Sequence, residues 1–136
     1  MPLLRLRGQP RNIGLISGQL QGCPSSPNCV CSDDSASRHA IDPLHLLVDP
    51  AKAWRAALEA VRAAGARIMT GTSDYLHAEY TSRYFGFVDD LELHLRPTER
   101  VIAVRSASRL GYADFGVNRE RVEKLRATLR EQKIVR

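Results

Sequence analysis

Phe87-Val88-Asp89-Asp90-Leu91-Glu92-Leu93-His94-Leu95, followed by Val101-Ile102-Ala103-Val104-Arg105-Ser106-Ala107-Ser108, decides the fold of this chain. Leucines 91, 93 and 95 alternate with Glu92 and His94, the period of two that a strand with one apolar face requires. The loop Pro97–Arg100 is short enough to join the two runs as an antiparallel pair. Setting Leu95 opposite Ile102 and Leu93 opposite Val104 keeps both apolar sets on one face. A slip of one residue would turn every side chain over. The same register sets Leu91 opposite Ser106 and Asp89 opposite Ser108 on that face. On the reverse it sets Glu92 opposite Arg105 and brings Asp90 diagonal to Arg109.

Outward from this pair, Tyr75–Ser82 reads as the preceding strand. Across the loop Arg83–Gly86 it places Leu76 by Leu93, Ala78 by Leu91 and Tyr80 by Asp89. Ile68–Thr72 is a further strand, and Pro43–Val48 a first one. Between them Asp49 suits a helix N-cap, Pro50 the first helical position and Gly65 the residue past the end. Trp54, Leu58 and Val61 recur at helical spacing, and Trp54 reads as core. A last helix opens near Asn118 and buries Val122, Leu125 and Leu129.

The order β-α-β-β-β-β-α predicts an α+β domain with an antiparallel sheet of four or five strands. Two helices cover one face, and the other face is expected to lie open. Residues 1–40 read as an irregular arm and cysteine-bearing wrap, and 41–136 as a single α+β domain, one domain overall. At 136 residues the chain can bury a real core without staples.

The net charge is +5. Residues 1–22 carry three arginines and no acid, and residues 119–136 carry seven basic residues against three acids. The excess therefore lies on a terminal arm and one helix, a distribution that fits solvated faces better than a nucleic-acid interface. No apolar run approaches the ~20 residues of a membrane span. The N-terminus lacks the pattern of a secretory signal, so a cytoplasmic protein is the expectation.

Two surfaces and one loop carry candidate chemistry. At the polar end of the helix-covered face, Tyr80, Asp89, Ser106 and Ser108 must bond to each other, to water or to a ligand. An unpartnered polar group there would cost ~1–3 kcal/mol. With Arg109, Asp114 and Arg119 they could line a pocket in which arginine recognises a carboxylate or phosphate. They could equally form a structural network, with Arg105 answered by Glu92, Arg109 by Asp90, and Asp114 or Asn118 capping the last helix. On the open face Tyr75, His77 and Glu79 would stand beside Asp90, Glu92 and His94. That is a conceivable metal set but more simply a solvated face with cross-strand pairs.

The loop Cys23-Pro24-Ser25-Ser26-Pro27-Asn28-Cys29-Val30-Cys31 allows three readings: reduced structural thiols, a Cys23–Cys29 disulfide with Cys31 left over, or metal or catalytic thiols. There is no glycine-rich phosphate loop, G-x-S-x-G, H-E-x-x-H or dinucleotide fingerprint.

Three of these motifs together resemble a known family. Cys23-Pro24-Ser25-Ser26-Pro27-Asn28-Cys29-Val30, Gly86-Phe87-Val88-Asp89-Asp90, and Arg105-Ser106-Ala107-Ser108-Arg109 with Gly111-Tyr112 and Asp114-Phe115-Gly116-Val117-Asn118-Arg119 are similar to the signature of domain of unknown function 1499. The likeness runs from about Cys23 to the C-terminus, and Cys31 stands where that signature has serine. It implies a bacterial-type protein, some of whose relatives are membrane-anchored or exported, and it brings no established activity or cofactor. It also implies that the three motifs form one site. The segment order is similar as well to TATA-binding-protein-like and helix-grip folds.

The leading functional expectation is non-enzymatic binding of a small polar or anionic ligand by Asp89, Asp90, Arg105, Ser106, Ser108, Arg109, Tyr112, Asp114, Asn118 and Arg119. Arg109 and Arg119 would meet its charge, Ser106 and Ser108 would hydrogen-bond it, and Asp89 would orient them. A second reading is a thiol- or metal-dependent enzyme using Cys23, Cys29 or Cys31. A third is an interaction module, for instance a homodimer through the open sheet face.

Overall fold

The register of the central strands is realised residue for residue. In this computed structural model, which describes residues 10, 12–82 and 86–136, the elements run β1 Leu15–Ile16, β2 Gln19–Leu20, β3 Cys29–Cys31, β4 Leu44–His45, α1 Pro50–Ala63, β5 Arg67–Gly71, β6 Tyr75–Thr81, β7 Val88–Arg96, β8 Val101–Ser108 and α2 Val117–Glu131. Leu93 pairs with Val104, Leu91 with Ser106, Asp89 with Ser108 and Glu92 with Arg105. On the other side of β7, Leu76 pairs with Leu93, Ala78 with Leu91 and Tyr80 with Asp89.

The main sheet is antiparallel, in the order β5-β6-β7-β8. Two short strands share the outer edge of β8: β3 pairs with Arg105–Ala107, and β4 with Val101–Ile102. The edge that would expose unpaired backbone is thus closed by two different pieces of the chain.

Both helices pack on one face. The Asp49 carboxylate accepts from the Lys52 backbone N–H at 3.2 Å, Pro50 opens α1, and Gly65 ends it at φ +92°, where a side chain would be strained. Its buried stripe is Ala53, Trp54, Ala57, Ala60 and Val61, and the small alanines let the helix lie close to the sheet. The Trp54 indole N–H donates to the Thr72 carbonyl at 3.1 Å, so burying the ring strands no donor. Val122, Leu125 and Leu129 of α2 meet the same layer of Leu76, Ala78, Leu91, Leu93, Ile102 and Val104. Each large aliphatic side chain buried there stabilises the fold by ~1.5–3 kcal/mol.

Two expectations need correction. The segment expected to be irregular supplies β1, β2 and β3. The face expected to lie open is covered by it, with Leu20, Cys31 and Ala103 forming a second small core against Cys23 and Tyr75. His77, Asp90, Glu92, His94 and Arg105 on that face are all buried. Alternation reports which side chains are polar, not which are wet, and here polar side chains are buried in pairs. A dimer through this face would have to displace the wrap. No helix among the described residues is long and apolar enough to cross a membrane.

Candidate functional site

Side-chain alternation divides the sequence-predicted residues between the two faces of the sheet. On the helix side Asp89, Ser106 and Ser108 converge on the first turns of α2. The Ser106 hydroxyl donates to Asn118 Oδ1 at 2.7 Å, and Asn118 Nδ2 donates to Ser108 Oγ at 2.9 Å, Asp114 Oδ2 at 2.8 Å and the Asn28 carbonyl at 3.2 Å. Asp114 also accepts from the backbone N–H groups of Gly116 and Asn118, which caps a helix whose N-cap, Gly116, has no side chain to do so.

Arg121 closes the cluster. It donates to Asp89 at 2.8 Å and Asn118 at 2.7 Å, with its guanidinium 4.6 Å from the Tyr80 ring centroid. Burial pushes the Tyr80 phenol above its ordinary range, against the pull of Arg121. Asp89, Ser106, Ser108, Asp114 and Asn118 thus already bond to each other and to Arg121.

Arg121 itself carried no signal among the motif residues; its distance of three from Asn118 on a helix was the available clue. Arg119, two residues before it, faces elsewhere for the same reason. It is exposed and donates to the carbonyls of Ala40 at 3.1 Å and Arg38 at 3.5 Å. Tyr112 is 70% exposed and stands apart from both clusters.

The wrap side is a ladder of buried charges. Arg109 grips Asp90 at 2.8 and 2.9 Å and also bonds Glu79, while His77 meets Asp90 at 2.6 Å. Burial alone would raise the Asp90 pKa, but hydrogen bonds from His77 and Arg109 outweigh it and hold the carboxyl below its ordinary range. The hydrogen bond to Asp90 likewise keeps Arg109 firmly protonated.

One strand position along, Glu92 is fully buried. It accepts from the Tyr75 hydroxyl at 2.5 Å and the Gly14 backbone N–H at 2.8 Å. Burial dominates here and raises its pKa despite those bonds. Arg105 Nη1 lies 3.5 Å from Glu92 Oε1, an ion pair without hydrogen-bond geometry. Further along, the wrap is pinned by Arg96, which chelates Asp33 at 2.5 and 2.8 Å.

At the polar end of this face lies a cavity of about 40 Å³, lined by Asn12, Pro24, Asp90, Arg105, Ala107, Ser108 and Arg109. It is therefore where the cysteine loop meets the Asp-Asp and Arg-Ser-Ala-Ser-Arg motifs. Arg105 is 1% exposed, yet its Nε and Nη1 have no hydrogen-bond partner among the described residues. Buried nitrogens left this way are uncommon in folded proteins.

Pro24 is held over the cavity by a disulfide between Cys23 and Cys29, with Cα atoms 5.7 Å apart, which selects one of the three cysteine readings. Cys31 remains a buried free thiol, pushed up to about 11 mainly by burial. A thiol in that state is neutral near pH 7 and a poor nucleophile. No group of three or more His, Cys, Asp or Glu among the described residues is arranged to hold a metal ion.

A family model described as "Protein of unknown function (DUF1499)" matches residues 19–129, and the chain belongs to that family. No curated protein matches it.

Proposed function

We propose that this DUF1499 protein is a binding domain for a small oxyanion, held where the disulfide loop closes over Asp90, Arg105 and Arg109. The observation that carries this reading is the buried Arg105 guanidinium, which lines a preformed cavity and whose Nε has no hydrogen-bond partner among the described residues. An oxyanion in the cavity would accept from Nε, whose N–H lies on the guanidinium edge shared with Nη2, the planar fork that arginine presents to carboxylate-like groups. Asp90 fixes Arg109 beside it as a positioning residue. Ser106 and Ser108 hold the strand end through Asn118 and leave the anion to the arginines. A volume of about 40 Å³ admits a few water-sized groups, so the ligand has the size of formate, nitrate or bicarbonate.

Asn12 and Pro24 line the cavity, so the wrap belongs to the same proposed site.

The decisive experiment is a crystal of the wild-type protein soaked in bromide, with formate and nitrate thermal-shift titrations beside it. An anomalous peak within hydrogen-bond range of Arg105 Nε, with nitrate raising Tm, is the expected result. Water alone in the cavity, with no anion-dependent change in Tm, would make the arginine structural and end this reading.

A further inference from the structure

A second concavity shares no residue with the buried cavity. It is a cleft of about 640 Å³ between one face of α2 and the segment around residues 40–45, within the size range of small-molecule sites. Arg119, Glu123, Arg126 and Arg130 fall at i, i+4, i+7 and i+11 on α2 and so line one helix face, and Arg136 joins them from the last residue.

Two of these arginines are anchored by the protein itself. Arg126 is 6% exposed, and its guanidinium is set by the carbonyls of Asp42 at 2.7 Å and Pro43 at 2.8 Å and by Glu123 at 2.8 Å. Arg119 is anchored through Nη2 alone, to Ala40 and Arg38 carbonyls, and keeps the other edge of its fork available. Arg130 and Arg136 have no side-chain hydrogen bond or ion pair among the described residues. Four guanidiniums thus face two carboxylates, Asp42 and Glu123, and Glu123 is already occupied by Arg126. Ile41 and Pro43 give the cleft an apolar wall beside its cationic one.

We infer that this cleft binds a soluble phosphomonoester. Its dianionic head would be taken by Arg119, Arg130 and Arg136, and its organic part would lie against Ile41 and Pro43. A dianion matches the surplus of two positive charges, and the guanidinium fork suits phosphate oxygens. The apolar wall distinguishes an ester from free phosphate.

Calorimetric titration of the full chain with phenyl phosphate and with inorganic phosphate tests this. Phenyl phosphate should bind the more tightly of the two, and Arg130→Glu should weaken it by about tenfold or more. Lys124→Glu is the control: it makes the same charge change on α2 but lines a different groove. It should leave affinity within about twofold. Equal losses in the two variants would reduce the effect to net charge and overturn the site, as would no binding to the wild type. Vesicles doped with phosphatidic acid should not retain the protein. Retention that phenyl phosphate cannot displace would replace the soluble ligand with a lipid surface.

Discussion

The two faces of β7 and β8 are built from the same strands yet held by opposite physics. Toward the helices, Leu91, Leu93, Ile102 and Val104 bury aliphatic surface, a non-directional gain that tolerates small shifts. Toward the wrap, Asp90, Glu92, Arg105 and Arg109 bury charge, which is stable only while each partner stays in place. The helix face supplies stability. The wrap face supplies specificity and, in our reading, a place for an anion.

The largest effect should come from breaking the charged face on one side only. Arg105→Ala leaves Glu92 buried without its cation and is expected to cost about 4 kcal/mol in denaturant unfolding. Replacing both residues by methionine should cost far less than either single removal, because no charge is then stranded. A double variant that merely adds the two single losses would show that the faces do not differ in kind.

On the helix face Leu93→Ala should cost about 3 kcal/mol, the transfer loss plus an unfilled cavity. No second substitution across the sheet should rescue it. Opening the Cys23–Cys29 bridge by Cys23→Ser closes off the entropy advantage of a short loop, about 2 kcal/mol by the chain-entropy relation. That loss should come with loss of any anion-dependent rise in Tm.

A subtler separation comes from pH. The folded-state pKa of Asp90 lies below its ordinary 3.8, so the stability it contributes is present above that value and drains away as pH falls beneath it. Glu92 moves the other way. Its pKa is raised above 4.5, so its contribution is full below that value and is lost as pH climbs through the folded pKa. Asp90→Asn should flatten the stability curve below about pH 4, and Glu92→Gln should flatten it above about pH 4.5. The smallest effect belongs outside both faces. Removing the exposed Lys124–Glu120 pair on α2 should change stability by less than about 0.5 kcal/mol.

The asymmetry between faces also explains what could be read from the chain. Leu91, Leu93 and Leu95 fix the register, because only one alignment keeps them with Ile102 and Val104, and the structure follows it. Asp49, Pro50 and Gly65 mark α1 for equally local reasons. The wrap had no such signal. Leu15, Leu20 and Cys29 lie in stretches too short for a period to show, and their partners are far away in the chain.

Glu92 and Arg105 could be paired on paper, but nothing in an alternating pattern says whether such a pair is buried. Arg109 and Asp90 were placed together correctly. Arg119 stands outside the cluster around Asp89 and Asn118, because the two-residue step from its position to that of Arg121 turns a side chain by ~200°. Arg121 occupies the place that Arg119 was expected to fill.

The edge of β8 shared by β3 and β4 bears on how the chain is made. Cys29–Cys31 is synthesised before its pairing partner Arg105–Ala107, which lies far downstream in the chain. Until that partner follows, the first strands have no sheet to join, and the carboxylates and guanidiniums of the central strands have no cover. The Cys23–Cys29 bridge spans only six positions, so it needs nothing downstream. The lid can be shaped before the box exists, and translation runs in the order that leaves its closing to the end.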